Sequence, residues 1–174
     1  MKFRFSVLVL LLGLSCVRAE MARADLPLFP LGHEVADSVL VVKSERKLYL
    51  LKAGRILKAF SVSLGLAPVG PKQREGDFRT PEGHYMLDGR KADSDYFLAI
   101  HISYPDASDL ARAHAHGVDP GGSIMIHGLP NAPHYEPAHY RGTDWTDGCI
   151  AVSNSDMIDI WLMTRESTPI EIRP

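Results

Sequence analysis

Cys149 stands in the run Thr146-Asp147-Gly148-Cys149-Ile150, directly after a glycine and ahead of a short apolar stretch. A cysteine that attacks a carbonyl needs a neighbouring base or positive charge to free its thiolate. It also needs backbone N–H groups to hold the oxyanion it creates. Gly148 suits such a site, because a residue without a side chain lets the backbone approach a substrate closely and take unusual torsions. His127, at the end of the apolar run Ser123–Ile126 and followed by Gly128, is the natural base. One long loop separates it from the cysteine, so the two can meet at one edge of a sheet. The other reading of Cys149, a small buried core residue, stays open at this point.

A second set of residues has the donor types that bind zinc: His114, His116 and Asp119, with His134 and His139 further on. Their spacing argues against a metal centre. In an extended chain His114 and His116 point to opposite faces, and neither a helical His-Glu-x-x-His nor a tight His-x-His-x-Asp cluster is present. Surface or loop histidines are the better reading, and no metal site is assigned.

The elements that must position these residues are mostly strands. Ser38–Lys43 and Lys47–Lys52 are apolar runs around the charged turn Ser44-Glu45-Arg46, which predicts a hairpin, and Arg55–Leu64 reads as a third strand. From Gly65 to Gly83 the density of Pro and Gly excludes helix and central strand, so a long ordered loop is expected there. Strands follow at 84–87, 96–102 and 123–126, with a short helix at 106–114 between the last two. The stretch 128–145 is a second long loop, and loops of that length in compact domains are usually functional. Ser153 and Asp156 have capping-box spacing for a helix running to about Arg165 and burying Met157, Ile158, Ile160, Trp161 and Leu162. A last strand is expected over 169–173.

The 174 residues carry a formal net charge of −2 and are 45% apolar, which fits one domain with a proper core. Balanced charge argues against nucleic acid as a partner. Met1–Ala24 reads as a secretory signal peptide: Lys2 and Arg4, an apolar run over 5–14, then Ala19, Ala22 and Ala24. Gly13, Ser15, Cys16 and Arg18 break that run too early for a membrane span. Residues 25–37 form a lead-in and 38–174 the catalytic domain. An exported chain left with the lone thiol Cys149 asks for a reason to keep it.

Three motifs in order, Gly76-Asp77-x-x-Thr80-Pro81-x-Gly83-x-Tyr85, Ile126-His127-Gly128 and Thr146-x-Gly148-Cys149-Ile150, resemble the L,D-transpeptidase catalytic domain (YkuD-like) over roughly 39–172. The resemblance implies a mainly β fold, a β-sandwich with one or two helices and long active-site loops. It implies peptidoglycan stem peptides as substrate in the periplasm of a Gram-negative bacterium, with a wall-linked lipoprotein as a further partner. No cofactor is implied, and a monomer is expected. Cys149 would form a thioester at the L-centre of diaminopimelate in a tetrapeptide, releasing D-Ala, and an amine would resolve it. His127 would be the base and the Gly128 carbonyl its orienter, with an oxyanion hole around Gly148 and Cys149. Hydrolysis of the same linkages, including detachment of a lipoprotein, and a non-catalytic wall-binding module are the alternatives.

The sequence departs from the commonest family pattern in two places. Asp147 stands where a His is common, and Ala151 where an Arg often holds substrate. The Asp-Trp-Thr-x-Gly-Cys-Ile-Ala-Val stretch resembles a subgroup of small exported members. Arg141 is the candidate for the missing positive charge, the other reading being a loop pair with Asp144. Asp147 is expected to face away from sulfur, where it would cap the loop or bind a substrate amine. Arg79 and Glu82 are expected to stabilise their own loop.

Overall fold

The computed structural model describes residues 34–136 and 138–174. The expected signal peptide and most of the 25–37 lead-in lie outside the described residues.

Strict alternation builds the first hairpin. In β1 (Ser38–Val42) and β2 (Lys47–Lys52), Val39, Val41, Leu48 and Leu50 point inward and are buried. The strands pair antiparallel across the expected charged turn. β3 (Arg55–Ser61) continues the meander on β2 but stops before Leu64, because the chain then leaves the ladder. Ser63 exchanges backbone hydrogen bonds with Ala151 at 2.9 Å in both directions, far along the chain.

β4 (Gly83–Ser94) is much longer than the expected 84–87. Its pairing with β5 (Phe97–Ile102) shifts register between Leu87 and Gly89 and again between Lys91 and Ser94. Such bulges break the two-residue alternation by which a strand is recognised, which is why the sequence hides this one beyond Leu87. β6 (Met125–His127) joins β5, and β7 (Ile150–Ala151) lies parallel to β6. β8 (Thr168–Arg173) runs between β1 and β4, parallel to the first and antiparallel to the second.

The sheet order is therefore β3-β2-β1-β8-β4-β5-β6-β7. The expected mainly β fold with two helices is what the chain adopts, its strands forming one curled eight-stranded sheet. The Ser63–Ala151 bridge ties the segment after β3 to β7 on the far edge, so the sheet bends round its own core. Pairing one edge with the other also removes exposed backbone donors and acceptors. Leu48, Leu50, Leu87, Ile100, Ile126 and Ile170 are among the side chains that fill the interior.

Two helices complete the fold. α1 (Ala107–Ala115) starts at Asp106 in a full capping box with Asp109. α2 (Asn154–Met163) starts at Ser153, whose hydroxyl accepts from the Asp156 N–H at 3.1 Å, and packs on β5. It ends before the expected Arg165, since Thr164 is extended. Its buried residues are Met157, Ile160 and Met163, whereas Ile158 and Leu162 face solvent, a correction to the expected inward set. Trp161 is half covered by Arg90, whose guanidinium lies 4.7 Å from the ring centre.

At the end of β1 the chain spends a lysine on anchoring a loop. Lys43 is buried, and its ammonium donates to the Gly70 carbonyl (2.7 Å), the Thr80 carbonyl (2.9 Å) and Glu82 Oε1 (2.8 Å). All three of its protons are used, which is what makes burial of the charge tolerable. The breaker-rich loop 65–83 is thereby fixed at both ends. Lys43→Met should lower stability by about 3 kcal/mol, because it strands the Glu82 carboxylate in a partly buried site. Urea unfolding followed by circular dichroism checks this, and an unchanged midpoint would show that the loop is held by other contacts.

Candidate active site

The loop that carries Cys149 is braced from within and from below. Thr146 Oγ1 donates to the Cys149 carbonyl (2.7 Å) and accepts from the Gly148 N–H (3.2 Å). The Thr146 backbone bonds Leu64 and Leu66 on the closing segment. Asp144, at the foot of the same loop, is gripped by the Arg46 guanidinium, with Nε at 3.0 Å and Nη2 at 2.7 Å from Oδ2, and its other oxygen accepts from the Leu64 N–H. The alternative pairing of Asp144 with Arg141 is therefore corrected: Arg46 takes that place.

Gly148 is required twice over. Its φ of +133° lies in a region L side chains rarely adopt, and a Cβ there would sit 2.7 Å from the Arg79 carbonyl oxygen. The loop 65–83 thus touches the loop of Cys149 backbone to backbone. That loop is set by Asp77, whose carboxylate accepts from the Gln73, Arg74 and Arg79 N–H groups and pairs with Lys72 at 2.9 Å. Arg79 and Glu82 serve the loop as expected, Arg79 donating to Pro71 and Glu82 pairing with Lys43.

His127 closes β6 and is buried, with Nδ1 2.7 Å from the Gly128 carbonyl. A carbonyl only accepts, so Nδ1 carries the proton and Nε2 presents a lone pair. Burial holds the imidazole pKa below its ordinary value, and the bond to Gly128 opposes this only in part. Gly128 is crowded as well: a Cβ would lie 2.6 Å from Asn154 Oδ1 and 3.0 Å from Phe97 Cβ. The Tyr96 ring packs 4.6 Å from the imidazole, and Trp145 stands edge-on to it at 5.7 Å.

Cys149 and His127 line one pocket of about 330 Å³, together with Tyr96, Trp145, Thr146 and Asp147. The half-buried thiol points at the Ser123 carbonyl, 3.7 Å away, and forms no hydrogen bond to His127 in this state. Burial pushes the thiol pKa up, and the Asp147 carboxylate adds to this. A backbone bond from Met125 and the Lys72 charge pull the other way. Both groups accordingly rest neutral near pH 7, a thiol beside an imidazole.

Cys149, His127, Gly128, Gly148, Thr146 and Asp147 thus converge. Asp147 is exposed at the pocket wall and caps nothing among the described residues, so the loop-capping role expected for it falls to Thr146. The Gly148 N–H is engaged by Thr146 Oγ1, a correction to its place among the oxyanion donors. The Cys149 N–H is bonded to no described residue. Arg141 is exposed on the 128–145 loop and is not among the residues lining the pocket. Lys43, Arg46 and Lys72 were not singled out from sequence, where lysines and arginines flanking strands and turns look like ordinary surface charge.

Two outcomes follow from this geometry. Gly148→Ala should abolish activity while the core stays folded, since relief of the clash moves the loop that carries the sulfur. Asp147→Asn should lower the thiol pKa and so speed alkylation of Cys149 by iodoacetamide at pH 8. An unchanged or slower rate would mean that the carboxylate does not act on the sulfur.

Residues 36–172 match the YkuD family, the L,D-transpeptidase catalytic domain. The chain is 40% identical over 96 residues to the Escherichia coli (strain K12) protein named "Putative L,D-transpeptidase YafK", an alignment covering 52% of this chain and 37% of that one. It resembles the crystal structure of the helical cell shape determining protein Pgp2 from Campylobacter jejuni, with a TM-score of 0.58 and 26% identity over 77% of this chain and 46% of the other. An Enterococcus faecium L,D-transpeptidase shares the fold at a TM-score of 0.52 and 14% identity, covering 80% of this chain and 50% of that one. The chain thus spans about half or less of each of these relatives. With the matched region extending from before β1 into β8, this chain belongs to the L,D-transpeptidase catalytic domain family.

Proposed function

We propose that the protein is a cysteine acyltransferase of peptidoglycan, acting on the stem tetrapeptide at the L-centre of diaminopimelate. The observation that carries this is the shared pocket of Cys149 and His127, with the imidazole tautomer set by the Gly128 carbonyl. Family membership and the likeness to a cell shape determining protein support the choice of substrate.

The proposed sequence of events uses these two side chains in turn. As the sulfur attacks the donor carbonyl, the thiol turns from Ser123 to His127 Nε2 and gives up its proton. The Cys149 N–H faces the developing oxyanion. The imidazolium then returns the proton to the departing D-Ala nitrogen, and the C–N bond breaks as the thioester is left on sulfur. An acceptor amine, from another stem or from a lipoprotein lysine, loses its proton to His127 and displaces the sulfur. Water in place of the amine gives hydrolysis by the same steps. The proposed setting is the periplasm, consistent with an export signal at 1–24.

Neutral His127 is the competent base, so donor turnover should fall on the acid side with an apparent pKa below 6.5, the direction in which burial moves the imidazole. Protonation below that point removes the acceptor lone pair. Cys149→Ser should lose nearly all turnover and all covalent labelling by a carbapenem. His127→Ala should keep its circular dichroism spectrum and acylate on the order of 10²–10⁴ times more slowly. Mass spectrometry of muropeptides after incubation reads out D-Ala release and the acceptor. Wild-type turnover in Cys149→Ser would overturn the proposal.

A further inference from the structure

The pocket contains one cation among its described lining residues, and it is not Arg141. Lys91 lies in β4, where its Cα pairs with Ala99 of β5, and Ala99 in turn pairs with His127 of β6. Residues directly opposed across neighbouring strands share a face. Lys91, Ala99 and His127 therefore form one row on the pocket side of the sheet, and all three line the pocket. With strands about 4.8 Å apart, the lysine and histidine backbones stand about 10 Å from each other. Between them Ala99 contributes only a methyl group, so no large side chain of the row separates the lysine from the histidine.

Lys91 is exposed, and its ammonium forms no hydrogen bond or ion pair with any described residue. The other charged groups at the walls, Asp95 and Asp147, are acidic. An anionic donor entering this pocket meets two carboxylates and one unpaired ammonium, and Ala151 provides nothing, being buried in β7. Resting on the acyl transfer proposed above, we infer that Lys91 is the substrate anchor of this site and binds a carboxylate of the acyl donor one strand beyond Ala99. Two donor carboxylates are chemically suited: that of the terminal D-Ala, and that of the D-centre of diaminopimelate. An ammonium presents a point charge, which accepts either without the planar fit an arginine would impose.

The test compares wild type, Lys91→Met and Lys91→Arg on a diaminopimelate tetrapeptide, measuring D-Ala release. Two further donors remove one carboxylate each, one ending in D-alaninamide and one with lysine in place of diaminopimelate. Lys91→Met should raise KM about 10- to 100-fold, the scale of a charge-assisted bond, with kcat within a few-fold of wild type. Lys91→Arg should recover most of the loss. Alkylation of Cys149 by iodoacetamide should be unchanged, which separates lost anchoring from a disturbed thiol. On the donor that lacks the bound carboxylate, Lys91→Met and wild type should behave alike, and that donor identifies the carboxylate. Equal KM for Lys91→Met and wild type on the tetrapeptide, or an undiminished penalty on both altered donors, overturns the inference while leaving acyl transfer intact. No D-Ala release by wild type overturns acyl transfer, and the anchor with it.

Discussion

Everything at the site depends on one close approach of two backbones, Gly148 against the carbonyl of Arg79. Neither loop is regular, and neither could hold a reactive sulfur in place by its own hydrogen bonds. Each is rigid because it leans on the other. The 65–83 loop is fastened by Lys43 at its ends and by Asp77 and Lys72 within, and the nucleophile's loop by Thr146 and by Asp144 on Arg46. Buried charges are ordinarily a liability. Here Lys43 is saturated with partners, Lys72 and Arg46 each hold a carboxylate, and together they stand in for the secondary structure that the prolines and glycines preclude.

The electrostatics of the pocket run against the usual picture of an activated cysteine. No arginine or helix N-terminus lowers the thiol pKa, and the nearest acid raises it. Burial moves the imidazole and the thiol in opposite directions, both toward neutrality. A site of this kind holds its reactivity back until substrate arrives. Neutral thiols oxidise slowly, so the resting form of Cys149 is also the more durable one.

Much of this was legible in sequence because the informative residues are also the ones that chemistry constrains. A lone cysteine after a glycine, a histidine at a strand end and the Gly-Asp-x-x-Thr-Pro stretch all lie where the structure brings them together. The first hairpin is clear because Val39, Val41, Leu48 and Leu50 alternate without interruption. What stayed hidden depends on distant pairing. The bulges in β4 mask its second half, and with it the place of Lys91 in the row with Ala99 and His127. Arg46 gives no local sign that it will meet Asp144, 98 residues away. The curl of the sheet stayed hidden as well, because the bridge from Ser63 to Ala151 is a tertiary event with no pattern of its own.

The place of β8 carries a consequence for how the molecule is made. This strand follows all the others in the chain, yet it is the central seam, joining β1 on one side to β4 on the other. Without it, the β1–β3 meander and the β4–β7 half share only the isolated bridges of Ser63 with Ala151 and Gly65 with Thr146, and the edges of β1 and β4 are both open to wrong partners. Pairings this distant in sequence form slowly. The seam that makes one sheet of the two halves is therefore the contact of longest range among the described residues, and the groove depends on it.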